Sequence, residues 1–352
     1  MYNLFTRRDF VAAGLSTRTI RQALNCCVLK LSPGIYSVIS SCQQQQHRRL
    51  AAFVDDKEWL ALHGSRNAGD LQSDYKYQDL LHRLRISAYL HYREHDVLWG
   101  VSAAVLHHIP LFGVPNDHPI SVINPTSNSR SPEITRTKRA VDGVDTCCQG
   151  ELALTTPVRT SLELTRQLGQ QAGFAAQEWV LRRSLLGPTD PPWLKHGYPE
   201  VFVEQSRNRV DSEFRPVIER LTVGRATARR MADCIDARSE SIAESYCSFN
   251  LHALGISGLD QQVKIYDHAG LIARVDFIDH VTNTIIEVDG IEKYVKVGRE
   301  QMSKQTYQHN RLLALGYTVI RFRFSELLHL HAFATKLFAQ APQLRRRWES
   351  PR

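Results

Sequence analysis

The chain has 352 residues, more than one hydrophobic core usually holds, so two or three domains are expected. Its 43% hydrophobic and 23% charged residues exclude a disordered chain, and no apolar run nears the ~20 residues of a membrane span. A formal charge of +8 favours a polyanionic partner, and Met1–Asp9 lacks the apolar stretch of a secretory signal, so the reading is a cytoplasmic protein without a membrane partner.

Residues 1–40 read as helix, turn, helix, hairpin. Phe5, Phe10, Val11 and Leu15 are the apolar positions of a first helix that stops at Gly14. Ser16 suits the N-cap of a second helix, Thr17 to Leu24, with Ile20 and Leu24 on its core side. Two short strands, Val28 to Leu31 and Ile35 to Val38, flank the turn Ser32-Pro33-Gly34. Two helices and a hairpin make a winged helix-turn-helix. Its candidate DNA contacts are Thr17, Arg18, Arg21 and Lys30, because Arg18 and Arg21 stand one turn apart on the outward side of the second helix. The plainer alternative is a solvated basic face.

Residues 41–75 are expected to be linker and loop, since Cys42 to His47 is polar and Asp55 to Asp74 holds Gly64, Gly69 and many polar residues. Residues 76–235 read as a mixed α/β domain. Its helices are expected near Tyr77 to Glu94, Ser102 to His108, Pro157 to Leu168 and Phe174 to Ser184, and its strands at Ile120 to Ile123 and Ile134 to Thr137. His107-His108 is not expected to bind metal, because neighbours on a helix point in different directions. The seven cysteines stand as Cys26-Cys27, Cys42, Cys147-Cys148, Cys234 and Cys247. None has the two-residue spacing of a zinc site, and reduced, mostly buried thiols are expected.

Phe5-Thr6-Arg7, Ala13-Gly14-Leu15-Ser16 and Gly34-Ile35-Tyr36 resemble the N-terminal domain of AbiEi-type abortive-infection antitoxins and related regulators. Ser102-Ala103-Ala104-Val105-Leu106-His107, followed by Thr155 to Leu162, resembles their second domain. The resemblance implies sequence-specific DNA binding and autoregulation.

Residues 236–345 read as helix, three strands, helix, strand, helix. The first helix runs from Ser239 to Leu254 and ends at Gly255; strands follow at Val263 to Tyr266, Leu271 to Ile278 and Thr284 to Asp289. A helix near Gln301 to Leu315 and a strand from Tyr317 to Phe324 complete the set, and Arg311, Arg321 and Arg323 are bases that can hold phosphates. A symmetric turn at His280 to Asn283 places Asp276 opposite Glu287 and Arg274 opposite Asp289. With a period of two, those four side chains share one face while Val275, Phe277, Ile286 and Val288 share the other. Facing carboxylates are destabilising by up to ~1 kcal/mol unless something compensates, and a divalent cation does so. Asp276 and Glu287 are therefore the expected ligands of Mg²⁺ or Mn²⁺, with Asp289 beside them. Glu244 is a fourth candidate, although Ser241 and Glu244 also have capping-box spacing.

Glu244-Ser245, Arg274-Val275-Asp276-Phe277, Ile286-Glu287-Val288-Asp289-Gly290 and Leu312 to Phe322 resemble nuclease domains related to the very-short-patch-repair endonuclease, in the PD-(D/E)XK group. The resemblance implies a restriction-endonuclease-like αβββαβ core in which Asp276 and Glu287 bind the metal and Glu244 is the helix acid. The family lysine two residues after the glutamate is Asp289 here, and Lys293 is the nearest substitute. The expected protein is thus α+β and multidomain: a winged helix-turn-helix, a mixed α/β middle domain and a nuclease-like domain. The leading function is a DNA-binding, Mg-dependent endonuclease, with RNA an alternative substrate. The runner-up is a non-catalytic, antitoxin-like regulator that binds nucleic acid or a cognate toxin.

Overall fold

A computed structural model describes residues 1–65, 68–112, 114, 118–290 and 299–349. They form a mixed α+β protein with three sheets. The chain divides into two compact units, residues 1–108 with 112–156, and residues 109–111 with 157–352. Among the described residues no helix is long and apolar enough to cross a membrane.

The first unit opens with β1 (Leu4–Thr6), α1 (Arg7–Ala12), α2 (Thr17–Ala23), β2 (Val28–Ser32) and β3 (Ile35–Val38), forming an antiparallel sheet in the order β1-β3-β2. Thr6 and Asp9 close a capping box that starts α1 after Phe5. Phe5 therefore lies in β1 rather than in the helix, and Val11 faces solvent while Phe10 enters the core. Ser16 caps α2 through the Thr19 N–H at 3.2 Å, as its sequence position implies.

The described residues of the expected linker are largely helical. Gln45–Phe53 is a 3₁₀ helix with His47 and Leu50 buried, and α3 (Lys57–Gly64) and α4 (Ala68–Ser73) follow. Asp56 caps α3 through the Trp59 N–H at 2.9 Å, and the buried Trp59 indole donates to Ser37 Oγ at 2.8 Å. A few anchors thus order a polar stretch whose average composition reads as loop. Asp74 caps α5 (Tyr75–Ala88), which ends six residues before Glu94 because the chain turns extended at Tyr89.

The second sheet of this unit holds β4 (Val97–Leu98), β5 (Ile120–Asn124), β6 (Ser129–Arg130), β7 (Ile134–Lys138), β8 (Thr146–Gln149) and β9 (Leu152–Thr155), in the order β6-β7-β5-β4-β9-β8. Buried α6 (Gly100–Leu106) follows β4, and His107 after it donates from Nε2 to the Thr155 carbonyl at 2.7 Å. All seven cysteines are free, but only Cys27 and Cys247 are buried; Cys26 and Cys148 are exposed, contrary to a mostly buried set.

The second unit begins with a helical layer: α7 (Pro157–Leu168), α8 (Gln170–Leu186), α9 (Phe202–Arg209), a π-helical turn Val210–Phe214, α10 (Arg215–Glu219) and α11 (Arg225–Ala232). Helices α7 and α8 approach so closely that a Cβ at Gly173 would sit 2.2 Å from Thr165 Oγ1. Then come α12 (Ile242–Ala253), β10 (Asp260–Asp267), β11 (Gly270–Asp279), β12 (Thr284–Asp289), α13 (Arg299–Ala314), β13 (Thr318–Arg323), α14 (Phe324–Leu327), α15 (Leu330–Gln340) and α16 (Pro342–Glu349). The sheet order is β10-β11-β12-β13, antiparallel except for the parallel pair β12/β13. One apolar cluster joins Phe277, Ile286, Val288 and Phe322 to Tyr246, Cys247 and Leu251 of α12 and Phe333 of α15. A second joins Ile265, Ile272, Val275, Ile278 and Ile285 to Leu312 of α13. Helices therefore pack against both clusters of the sheet.

Candidate functional site

Helix α12 starts where Ser241 Oγ accepts the Glu244 N–H at 3.2 Å. Glu244 is only 8% exposed, and its carboxyl accepts three bonds: Ser241 Oγ at 2.7 Å, the Glu240 N–H at 2.9 Å and the Gln262 amide at 2.8 Å. The capping spacing seen in the sequence is real, and so is the approach to the strand acids. Burial, and then the nearby Asp276 charge, push the Glu244 carboxyl up to about 8 against these donors.

Gln262 is the residue that sequence reasoning missed. It lies on β10 between the pairs Gln261/Phe277 and Val263/Val275, buried, with a left-handed φ of 59° that is costly for a residue with a Cβ. Across this point the two strands change face: Val275 packs in the α13 cluster, while Phe277 packs in the α12 cluster. The period-two assignment of Val275 and Phe277 to one face therefore fails. The irregularity aims Asp276 toward the start of α12, with a long contact of 3.5 Å from the Gln262 amide to its Oδ1.

The β11/β12 register is the one a four-residue turn implies: Asp279 pairs with Thr284, Ile278 with Ile285 and Phe277 with Ile286. The ladder stops there, so Asp276 and Glu287 are not a backbone pair. Asp276 Oδ2 instead accepts the Val288 N–H at 2.7 Å, its carboxylate replacing a strand carbonyl. Arg274 does not oppose Asp289 either. It pairs with Lys264 on β10 and sends its guanidinium to Glu240 Oε2 at 2.7 Å, where Tyr198 Oη also donates to Oε1 at 2.9 Å. Glu240 is thereby committed to that network.

Glu287 lies opposite Arg321 in the parallel β12/β13 register, and the two form an ion pair through Glu287 Oε2. Asp289 is half-buried and aligned with Arg323. Burial works against the Arg321 charge, but Glu287, Asp289 and Asp276 outweigh it and raise its pKa. Arg321 is therefore the cation at the centre of these acids. Arg311, by contrast, is bound to Asp267 on the β10/β11 turn. Lys293 lies outside the described residues.

On the first unit Thr17, Arg18 and Arg21 are all exposed on α2, opposite buried Ile20 and Ala23. Lys30 reaches Glu133 Oε1 at 3.4 Å and is not a free cation. Among the described residues, one group of three or more metal-ligating side chains has its ligand atoms within 4.8 Å of one another, and it is Cys26, Cys27, Cys42 and His47, not the acids. Compared with protein families, with curated proteins and with solved structures, the chain matches none.

Proposed function

We propose that this is a DNA-binding protein whose C-terminal domain, of the very-short-patch-repair-like PD-(D/E)XK kind, hydrolyses phosphodiester bonds with Mg²⁺ or Mn²⁺. The observation that carries the reading is the placement of Asp276 just where β11 and β12 part, with Glu287 beside that point and Glu244 reaching in from α12. The order α12, β10, β11, β12, α13, β13 supports a restriction-endonuclease-like core.

The donors fit a hard cation in kind. Asp276 and Glu287 are half-buried carboxylates that accept from the Val288 N–H and the Arg321 guanidinium, respectively. They would hold the ion, leaving other positions to water and a phosphate oxygen. When bound, such an ion polarises the phosphodiester and lowers the pKa of an attacking water. Glu244, with its pKa near 8, can hold or release a proton close to neutrality. Arg321 offers the positive charge that the family takes from lysine, and its guanidinium suits a phosphate oxygen. Thr17, Arg18 and Arg21 would contact the duplex backbone.

The test is cleavage of varied DNA and RNA substrates by purified protein with Mg²⁺ or Mn²⁺. Cleavage is expected to fall by about a hundredfold or more in Asp276→Ala. Substrates left intact by the wild-type protein with both metals would sink the catalytic reading.

The Glu287–Arg321 ion pair and Asp289 at the lysine position favour a second reading, an antitoxin-like regulator with a degenerate nuclease fold. Specific binding to the promoter of its own gene, with the log–log salt slope reduced by about 2 in Arg18→Ala/Arg21→Ala, is its expected signature. Unchanged binding by that double variant counts against it.

A further inference from the structure

The polar stretch after β3 returns to the end of α2 and brings four soft ligands together. Cys26 and Cys27 follow α2, Cys42 follows β3, and His47 sits on the 3₁₀ helix Gln45–Phe53. His47 Nδ1 lies 3.4 Å from Cys26 Sγ, 3.7 Å from Cys27 Sγ and 3.3 Å from Cys42 Sγ. Cys26 Sγ is 3.6 Å from Cys27 Sγ and 3.8 Å from Cys42 Sγ. A tetrahedral zinc with Zn–S of about 2.3 Å and Zn–N of about 2.1 Å holds its sulfurs about 3.8 Å apart and each sulfur about 3.6 Å from the nitrogen. These five distances match five of the six edges of that tetrahedron, and the sixth, Cys27 Sγ to Cys42 Sγ, lies within 4.8 Å.

His47 supplies an independent observation. It is 2% exposed, its Nδ1 is surrounded by the three sulfurs, and its Nε2 is buried with no hydrogen-bond partner. Burying an imidazole whose neighbours are only thiols is unfavourable, since S–H is a weak donor and sulfur a weak acceptor. A tetrahedral ion gives Nδ1 a strong partner and turns three crowded thiols into ligands, and it fixes the ring's proton on the buried Nε2. Among the described residues the other adjacent pair, Cys147-Cys148, has no such partner set.

We propose that Cys26, Cys27, Cys42 and His47 form a structural zinc site that ties the end of α2 to the segment after β3. Three thiolates and a neutral imidazole select a soft or borderline divalent ion such as Zn²⁺ and reject Mg²⁺. Four protein ligands close the coordination sphere, the pattern of a structural rather than a catalytic site. The exposed Cys26 leaves a route for the ion to enter. The clip fixes α2, and with it the orientation of Thr17, Arg18 and Arg21.

The test uses the full chain, purified under reducing conditions without chelator, with metal content measured by mass spectrometry. About one equivalent of zinc per chain is expected, falling below about a tenth in Cys42→Ser and in His47→Ala and unchanged in Cys147→Ser/Cys148→Ser. Should the cluster variants fail to fold, cobalt substitution of the wild-type protein decides. Tetrahedral ligand-field bands with thiolate-to-cobalt charge transfer support the site, and an octahedral spectrum overturns it. Wild-type protein without bound zinc, folded Cys42→Ser that keeps its zinc, or a native Cys26–Cys42 disulfide in a non-reducing digest would each overturn it as well.

Discussion

Two clusters of ionisable side chains among the described residues are satisfied in opposite ways. At the strand ends the acids are partnered by the protein itself: Glu244 by a cap and by Gln262, Asp276 by the Val288 N–H, Glu287 by Arg321. Around His47 three sulfurs crowd one ring nitrogen, and these side chains offer it little but sulfur. A site whose groups already have hydrogen-bond partners can stand with or without an ion and bind it reversibly for chemistry. A site whose groups turn mainly toward one another gains its order from an ion. The contrast accords with the proposed structural metal in the first unit and the proposed replaceable one in the second.

The largest expected effect comes from removing zinc. An ion present at a thousand times its dissociation constant contributes about 4 kcal/mol, so chelation should lower the melting midpoint of the first transition by more than about 10 °C. The same chelator followed by excess Mg²⁺ should not restore it. A calorimetric trace unmoved by chelation would erase the contrast.

Protonation comes next. The Glu244 carboxyl is pushed to about 8, and so is that of Glu178 on α8, which is fully buried with the Asp236 N–H at 3.0 Å. In the unfolded chain both titrate near 4.5. The folded protein therefore carries protons that the unfolded chain has lost, so this stabilisation is complete below about 4.5 and disappears as pH rises toward 8. The unfolding free energy measured with denaturant should fall as the pH rises from 5 to 8. Glu244→Gln should weaken that slope and Glu244→Gln/Glu178→Gln should flatten it; an equal slope in all three proteins would contradict the assignment.

Gln262 gives a finer test. Gln262→Ala loses the amide bond to Glu244 but keeps the left-handed backbone, whereas Gln262→Gly relieves it. The glycine variant should be more stable than the alanine variant by about 1 kcal/mol in chemical denaturation. If alanine is the more stable, the backbone at Gln262 is not strained.

Arg321→Gln should change stability least, by less than about 1 kcal/mol, because the ion pair is partly open to water, with Arg321 38% exposed. Its informative readout is Mn²⁺ binding by calorimetry, which should tighten once Glu287 is released. Unchanged affinity would show that Glu287 is not a ligand.

Local chemistry made much of this legible. Ser16 and Ser241 begin helices because a hydroxyl satisfies an orphan N–H, and Gly255, with φ of 76°, follows α12 because a left-handed turn suits glycine. The turn length fixed the β11/β12 register, and the order of strands and helices in the second unit follows from hydrophobic period. These signals act over a few residues, so adjacent letters carry them. By contrast, α3 was hidden because the burial of Trp59 beneath Ser37 is a contact between distant segments.

The acidic residues could be named from the chain, and the turn length set the register of the paired residues next to them. Their partners could not. Arg321 meets Glu287 across a parallel pair joined through a whole helix, and Gln262 reaches Asp276 only because its backbone leaves the regular strand. The sulfur cluster lay wholly beyond sequence spacing. Cys26, Cys27, Cys42 and His47 are brought together by the return of the chain after β3, and ligand geometry depends on where side chains converge in space rather than on how far apart they stand along the backbone.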